Sequence, residues 1–218
     1  MATRSIKLLV FDWDGTLADS TAAIVKAMQA AIGECGVESR SDDNIRDIIG
    51  LGLLQAVAAL YPDMEVAAQE DIAQKYRMHY SLANQGRTML FPGVNNTLDH
   101  LKTMEYQLAI ATGKSRKGLN NSLKQAGVEE FFHFSRCADE TFSKPHPQML
   151  LEIMDELDAK PGQTVMIGDS EYDLQMANNA GVRPVAVTYG SQSREHLLKY
   201  NPVACLNKIT DLVGWLAT

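Results

Sequence analysis

The chain has 218 residues, of which 45% are hydrophobic and 22% are charged, as in a folded protein with one core or a core and a smaller domain. Its formal net charge of −7 argues against a nucleic-acid partner, because nucleic-acid binders usually present a basic surface. The sequence contains neither an apolar run of membrane length nor a secretory signal pattern, so we expect a cytoplasmic protein with no membrane partner.

The first predicted element is a buried strand at residues 6–10 (IKLLV), where the sequence is almost continuously apolar and includes β-branched side chains. After it, from about residue 20 to residue 85, only helical spacing is found, for example at Ile24, Met28 and Ile32. This stretch predicts a helical insertion. Further strands, separated mostly by helical patterns, are predicted at residues 107–112, 134–137, 164–168, 184–188 and 203–206.

Alternation of strands and helices predicts an α/β fold, with a Rossmann-like, doubly wound parallel sheet and right-handed crossovers. The sheet core is expected to comprise residues 1–17 and 87–218. Residues 18–86 are expected to form a separate helical domain inserted after the first strand.

Polar side chains follow several predicted strands. Asp12 and Asp14 end the first strand, and Asp169 and Asp173 follow the strand at 164–168. Because ligands of an open α/β sheet bind at the carboxyl ends of its strands, we expect these carboxylates to converge. Two neighbouring carboxylates resist joint ionisation, so proteins retain them where a metal neutralises them or where one carries a proton for acid/base work. An oxygen-rich Mg²⁺ site is therefore predicted.

A second group of residues at the same edge suits a phosphate. Thr112 offers a hydroxyl, Gly113 permits close backbone approach, and Lys114 and Ser115 open a predicted helix whose N-terminus favours anions. Lys144 stands in the segment SKPHP, where two prolines restrict the local chain direction. Together with the carboxylates, these groups suit the binding of a phosphate at the strand ends.

These motifs resemble those of the haloacid dehalogenase superfamily, and more narrowly its phosphoglycolate phosphatase-like members, which have a helical cap of the C1 type after the first strand. The resemblance extends over nearly the whole chain. Its four motifs occur in order at residues 11–17 (FDWDGTL), at Thr112 with Gly113, at Lys144, and at Gly168 with Asp169 and Asp173.

The resemblance implies a mechanism in which Asp12 attacks phosphorus to form an aspartyl-phosphate, while Asp14 protonates the leaving oxygen and later activates water. It implies that Mg²⁺ is bound by Asp12, Asp169 and the backbone carbonyl of Asp14. Asp173 would orient the metal's water ligands or Lys144.

The phosphoryl oxygens would be bound by Thr112 and Lys144, together with backbone N–H groups near Trp13 and Gly113. Asp12 and Asp14 complete this phosphate site. The expected partner is a small phosphorylated metabolite, with phosphoglycolate as the first candidate by resemblance. Sugar phosphates, nucleoside monophosphates and pyrophosphate also remain open, and the chain is expected to be a monomer or a homodimer.

Three other functions share parts of this motif set. A phosphomutase of the β-phosphoglucomutase type uses the same groups, but commonly has valine where Thr16 stands here. A dehalogenase needs neither the second acid, Asp14, nor a metal. A non-catalytic phosphoacceptor resembling a receiver domain has adjacent rather than split acidic residues, and lacks a long helical insertion.

Overall fold

The computed structural model describes residues 6–84 and 88–218. Its strands form one parallel sheet in the order β3-β2-β1-β4-β5-β6, which confirms the predicted doubly wound α/β fold. All four residues of β1 are fully buried, as expected for a central strand covered by helices on both faces. The strands are β1 (Leu8–Phe11), β2 (Gln107–Thr112), β3 (Phe134–Cys137), β4 (Thr164–Gly168), β5 (Arg183–Val187) and β6 (Ala204–Leu206).

Two predicted strand limits differ from the structure by one or two residues. β1 runs from Leu8 to Phe11 rather than over residues 6–10, because Phe11 pairs in register with Ile110 and Ile167 before the chain turns at Asp12. β5 covers residues 183–187 rather than 184–188. The other predicted strands agree with the structure to within one residue.

The helices α1–α4 lie between β1 and β2, and α5–α10 cover the sheet. Alternate side chains of β1 separate two apolar clusters, with Leu9 and Phe11 on one side of the sheet and Leu8 and Val10 on the other. The helices are α1 (Thr21–Cys35), α2 (Asp42–Asp47), α3 (Leu53–Leu60), α4 (Val66–Asn84), α5 (Val94–Thr103), α6 (Arg116–Ala126), α7 (Gln148–Glu156), α8 (Glu171–Asn179), α9 (Arg194–Leu198) and α10 (Asp211–Leu216).

Helices α1–α4, here called the helical insert, share an apolar cluster of their own that includes Met28, Val57 and Ile72. The chain enters and leaves the insert through a short antiparallel pair, in which Asp19 N–H donates to the Met89 carbonyl at 2.9 Å. The predicted first boundary, after residue 17, falls at this pair. The second predicted boundary, between residues 86 and 87, lies outside the described residues, so the division into two domains stays a prediction.

Within residues 6–84 and 88–218, no helix is long and apolar enough to cross a bilayer.

Candidate active site

The candidate site lies where β1, β2 and β4 end, at the middle of the sheet. Asp12 follows β1, Thr112 is the last residue of β2, and Asp169 follows β4. β1 and β4 are neighbours in the sheet although they are far apart in the sequence. Parallel pairing therefore brings the two carboxylates to one edge, as the strand-end rule predicts.

Three buried carboxylates form the centre of this site. One oxygen from each of Asp12, Asp169 and Asp173 lies within 4.8 Å of the others. Asp173 belongs to the first turn of α8, where its Oδ2 accepts hydrogen bonds from the Ser170 N–H at 3.1 Å and the Ser170 hydroxyl at 2.7 Å. These two bonds, both donated by Ser170 at the N-cap of α8, orient the Asp173 carboxylate.

Lys144 joins two of these carboxylates. Its Nζ lies 2.6 Å from Asp12 Oδ1 and 2.6 Å from Asp173 Oδ1, and the side chain is fully buried. Burial alone lowers the pKa of Lys144, but the adjacent carboxylates outweigh it and raise this pKa above its usual value. The lysine is therefore a fixed positive charge beside Asp12.

Asp169 receives hydrogen bonds on both oxygens. The Thr16 hydroxyl donates to Oδ1 at 2.9 Å, and the N–H and hydroxyl of Ser191 both donate to Oδ2 at 2.7 Å. Gly15 leaves the room for this arrangement, because a Cβ there would lie 2.2 Å from Asp169 Oδ2. Burial, helped by the Asp173 charge, raises the pKa of Asp169 to about 6, while the Ser191 and Thr16 donors act in the opposite direction.

Charge and hydrogen bonding make the cluster suitable for a divalent cation. Burial raises the pKa of Asp12 well above its usual range, and the charges of Asp173 and Asp169 add to this effect, against the Lys144 ammonium. Asp12 Oδ2 is buried with no hydrogen-bond partner in the described part of the chain. Three carboxylates facing one ammonium leave excess negative charge. A hard cation with oxygen ligands fits this set of residues.

Asp14 is the acid whose side chain stands apart from the cluster. Its Oδ1 accepts a hydrogen bond from the Ser20 hydroxyl at 2.6 Å, and its Oδ2 lies 3.0 Å from Lys114 Nζ. Asp12 and Asp14, which precede the turn at Gly15, thus direct their carboxylates to different partners. This separation suits the different roles that the family resemblance implies for them.

The remaining predicted phosphate ligands, Thr112, Gly113 and Trp13, surround the same strand ends. The Thr112 hydroxyl is buried and accepts a hydrogen bond from Lys114 N–H at 3.2 Å. Gly113 is in close contact with the helical insert, since a Cβ there would lie 2.3 Å from the carbonyl oxygen of Leu51. Trp13 is fully buried, and its carbonyl accepts hydrogen bonds in the turn that follows β1.

The sequence does not predict that Thr16 and Ser191 donate hydrogen bonds to Asp169. Thr16 lies in the first motif, where the sequence indicates only that it differs from the valine common in phosphomutases. Ser191 lies in the loop after β5, beside Tyr189, whose hydroxyl donates to the Thr16 carbonyl at 2.9 Å. The segment TYGSQS at residues 188–193 follows a strand, so the strand-end rule could have indicated its position at this edge.

Comparison with known proteins agrees with this geometry. The family model described as "Haloacid dehalogenase-like hydrolase" matches residues 9–187, which include every residue of the cluster. The chain belongs to this haloacid dehalogenase-like hydrolase family. The resemblance found in the four motifs is thereby confirmed.

Several haloacid dehalogenase-like relatives match over nearly the whole chain. "Probable phosphatase IndB" of Dickeya dadantii is 33% identical, over 95% of this chain and 92% of its own length. A phosphoglycolate phosphatase of Vibrio parahaemolyticus is 29% identical, over 100% and 99% respectively. The crystal structure of a haloacid dehalogenase-like hydrolase from Bacteroides fragilis superposes with a TM-score of 0.88 at 29% identity, and covers 95% of this chain and 100% of its own.

Proposed function

We propose that the protein is a Mg²⁺-dependent phosphatase that hydrolyses a small, phosphoglycolate-like metabolite through an aspartyl-phosphate. The observation that carries this proposal is the position of Lys144, which links Asp12 to Asp173 inside the buried carboxylate cluster. The names of two relatives, a phosphatase and a phosphoglycolate phosphatase, support the reaction class and the candidate substrate. We retain the cytoplasmic location and the monomeric or dimeric state as predictions from the sequence.

In the first step, a carboxylate oxygen of Asp12 attacks phosphorus and the bond from phosphorus to the ester oxygen breaks. Lys144, already 2.6 Å from Asp12 Oδ1, would bind a phosphoryl oxygen together with the Thr112 hydroxyl and backbone N–H groups near Trp13 and Gly113. Asp14 gives its proton to the departing oxygen. The products of this step are an aspartyl-phosphate on Asp12 and the leaving alcohol, protonated at its hydroxyl oxygen.

In the second step, Asp14 takes a proton from water as that water attacks phosphorus, and the Asp12 carboxylate is released with inorganic phosphate. The metal site would comprise Asp12, Asp169 and the backbone carbonyl of Asp14, with Asp173 supporting it from α8. A bound Mg²⁺ would offset the repulsion between the carboxylate and the phosphate. Thr16 and Ser191 hold Asp169 in the orientation that this role requires.

The helical insert, in the predicted domain at residues 18–86, would act as the cap over a core of residues 1–17 and 87–218. Two contacts at the site support this assignment. Gly52 N–H donates to the Ser143 hydroxyl at 2.8 Å, next to Lys144, and the Leu51 carbonyl packs against Gly113. A cap in this position would exclude water from the phosphoryl group and contact the rest of the substrate.

The test is phosphate release from phosphoglycolate and from an aryl phosphate, with Mg²⁺ or with a chelator. We expect Mg²⁺-dependent turnover by the wild type, and a loss of at least about 10³-fold in Asp12→Asn, because an amide is a poor nucleophile. Asp99→Asn, which makes the same change at an exposed position on α5, is the matched control. Undiminished turnover by Asp12→Asn would remove this residue from the nucleophile role.

Asp14→Asn provides an independent test of the acid. General acid/base groups contribute roughly 10²–10⁴-fold, so a loss of that size is expected with an alkyl ester. The loss should be smaller with an aryl phosphate, whose leaving oxygen needs less protonation. Equal losses on both esters would contradict the general-acid role of Asp14.

A further inference from the structure

Lys114 is a second enclosed lysine, outside the carboxylate cluster, at the junction of the sheet core and the helical insert. Its Nζ lies 3.0 Å from Asp14 Oδ2 and 3.2 Å from the Tyr80 hydroxyl of α4, and 4.7 Å above the centre of the Tyr80 ring. Only 10% of its side chain is exposed. Tyr80 in turn stacks on Tyr76, with 5.6 Å between ring centroids. The insert therefore holds this ammonium from one side and Asp14 holds it from the other.

Placing a lysine here is energetically costly, because removing an ammonium from water is only partly offset by one carboxylate. The Asp14 carboxylate, 3.0 Å from Nζ, keeps Lys114 in its charged ammonium form. Asp14 does not need Lys114 to orient its carboxylate, since the Ser20 hydroxyl already donates to its other oxygen. A buried, permanent positive charge at this position indicates an interaction with a ligand.

The location of Asp14 determines which part of a substrate Lys114 would meet. If Asp14 protonates the leaving oxygen, that oxygen lies within a hydrogen bond of its carboxylate, and thus within about 6 Å of Lys114 Nζ. A group two or three bonds farther along the leaving group then reaches the ammonium. An ammonium has three N–H donors, and its contacts with Asp14 and Tyr80 in the described part of the chain use two of them.

Electrostatics indicates what that group is. The four carboxylates Asp12, Asp14, Asp169 and Asp173, in a chain of formal net charge −7, disfavour a leaving group that carries its own negative charge. Lys114 offsets this repulsion locally, on the leaving-group side of the site. When a substrate with a neutral leaving group binds, the Lys114 ammonium would lose water contacts without gaining an anionic partner from the substrate.

We propose that Lys114 is a specificity-determining residue, which selects phosphate esters whose leaving group carries a compact second anion within a few bonds of the ester oxygen. This inference rests on the proposed phosphatase function of the same site. The anion is a carboxylate or a second phosphoryl group, both of which accept hydrogen bonds from an ammonium. Tyr80 positions the ammonium from the helical insert.

The experiment compares phosphoglycolate with ethyl phosphate, which has a methyl group in place of the carboxylate. The measured quantity is the ratio of kcat/KM for the two esters. The wild type should prefer phosphoglycolate, and Lys114→Met should lower this ratio on the order of 10- to 100-fold, the usual contribution of a hydrogen bond to a charged group. The change should appear mainly in KM, because the second anion is present in both the ground state and the transition state.

Three further variants make the result specific. Lys114→Gln keeps a polar side chain without the charge, and should lose the preference as Lys114→Met does. Lys114→Arg keeps the charge and should retain much of the preference. Lys117→Met, at an exposed position on α6, should leave the ratio unchanged.

Pyrophosphate, assayed with the same variants, distinguishes a carboxylate from a second phosphoryl group as the anion that Lys114 binds. The substrate that carries this anion should show the larger loss of kcat/KM in Lys114→Met.

Two outcomes would overturn the inference while leaving the proposed function intact. The first is a wild type that hydrolyses both esters in an Asp12-dependent manner without preferring the charged one. The second is an equal loss on both esters in Lys114→Met and Lys114→Gln, which would mean that Lys114 acts only on Asp14 or on the fold. If the wild type releases phosphate from no ester, the proposed function fails and the inference fails with it.

Discussion

At the scale of single residues, the predicted metal ligand Asp169 depends on two hydroxyl groups that come from distant parts of the chain. Thr16 follows β1 and Ser191 follows β5, so Asp169 is held from both neighbouring strand ends. Hydrogen bonds of this kind fix the direction of a ligand's lone pairs before a metal arrives. They also oppose the effect of burial on the pKa of Asp169.

Ser191→Ala should therefore weaken metal binding while preserving the fold. The variant keeps the backbone N–H bond to Asp169 Oδ2 but loses the hydroxyl bond, both 2.7 Å in the wild type. We expect the Mg²⁺ concentration for half-maximal stabilisation or turnover to rise on the order of 10-fold. Ser81→Ala, at an exposed position on α4, serves as the control. An unchanged Mg²⁺ dependence would show that the hydroxyl does not orient Asp169.

At the scale of elements, the loop between α2 and α3 connects the helical insert to three strand-end segments. Gly52 N–H bonds to Ser143, the Leu51 carbonyl faces Gly113, and a Cβ at Gly50 would lie 2.7 Å from the Ser170 hydroxyl oxygen. These close contacts require glycine, at Gly50 and Gly52 in the loop and at Gly113 after β2, because a Cβ at each position would overlap its neighbour. The loop position and the shape of the site are thus coupled.

Gly113→Ala should disturb this coupling directly. Its Cβ would lie 2.3 Å from the Leu51 carbonyl oxygen, so the insert loop must shift, at an overpacking cost of about 1–3 kcal/mol. We expect a lower melting temperature and a large decrease in phosphate release. Gly162→Ala adds a methyl group where no atom lies within 4 Å, and should be near neutral in both assays. Equal behaviour of the two variants would contradict the close approach of the loop.

At the scale of the whole molecule, the buried acidic cluster links the stability of the fold to pH. Burial raises the pKa of Asp169 to about 6 and raises that of Asp12 well above its usual range. Without metal, the folded protein therefore binds more protons than the unfolded chain between about pH 4 and pH 6. The free energy of unfolding must then decrease as the pH rises through this window.

Unfolding in urea with a chelator should accordingly give lower stability at pH 7.5 than at pH 5, by about 1.4 kcal/mol for Asp169 alone, because pH 5 lies one unit below its pKa of about 6. Mg²⁺ should stabilise more at the higher pH, since protons compete with the cation at the lower pH. Asp169→Asn should lose much of this pH dependence. Stability that rises from pH 5 to pH 7.5 in the chelated wild type would contradict the shifted pKa values.

The position of the carboxylate cluster in the fold can be predicted from the sequence. The apolar run before Asp12 and the run before Asp169 predict buried parallel strands, and such strands bring their carboxyl ends together. The convergence of Asp12, Asp169 and Asp173 could thus be anticipated.

The partners of Asp14 could not be anticipated in the same way. Lys114 was predicted beside a phosphate at a helix start, whereas its side chain extends to Asp14 and Tyr80, because α6 begins only after the cap at Ser115. The contact needs the packing of α4 against the core, which neither periodicity nor spacing specifies. The hydrogen bond from the Ser191 hydroxyl to Asp169 could not be predicted either. The sequence places this polar loop at the edge of the sheet, but it does not specify which atom the hydroxyl contacts.

The sequence separation of the central ion pair has a consequence for synthesis. Lys144 and Asp12 are 132 residues apart, and Thr16 and Asp169 are 153 residues apart. A ribosome adding roughly 5–20 residues per second exposes Asp12, the proposed nucleophile, on the order of 10 s before its partners exist. Until β4 pairs with β1, the growing chain carries isolated carboxylates in water. If Asp12 is the nucleophile, we expect activity to arise only once β4 pairs with β1, so translation products that end before β4 should be inactive.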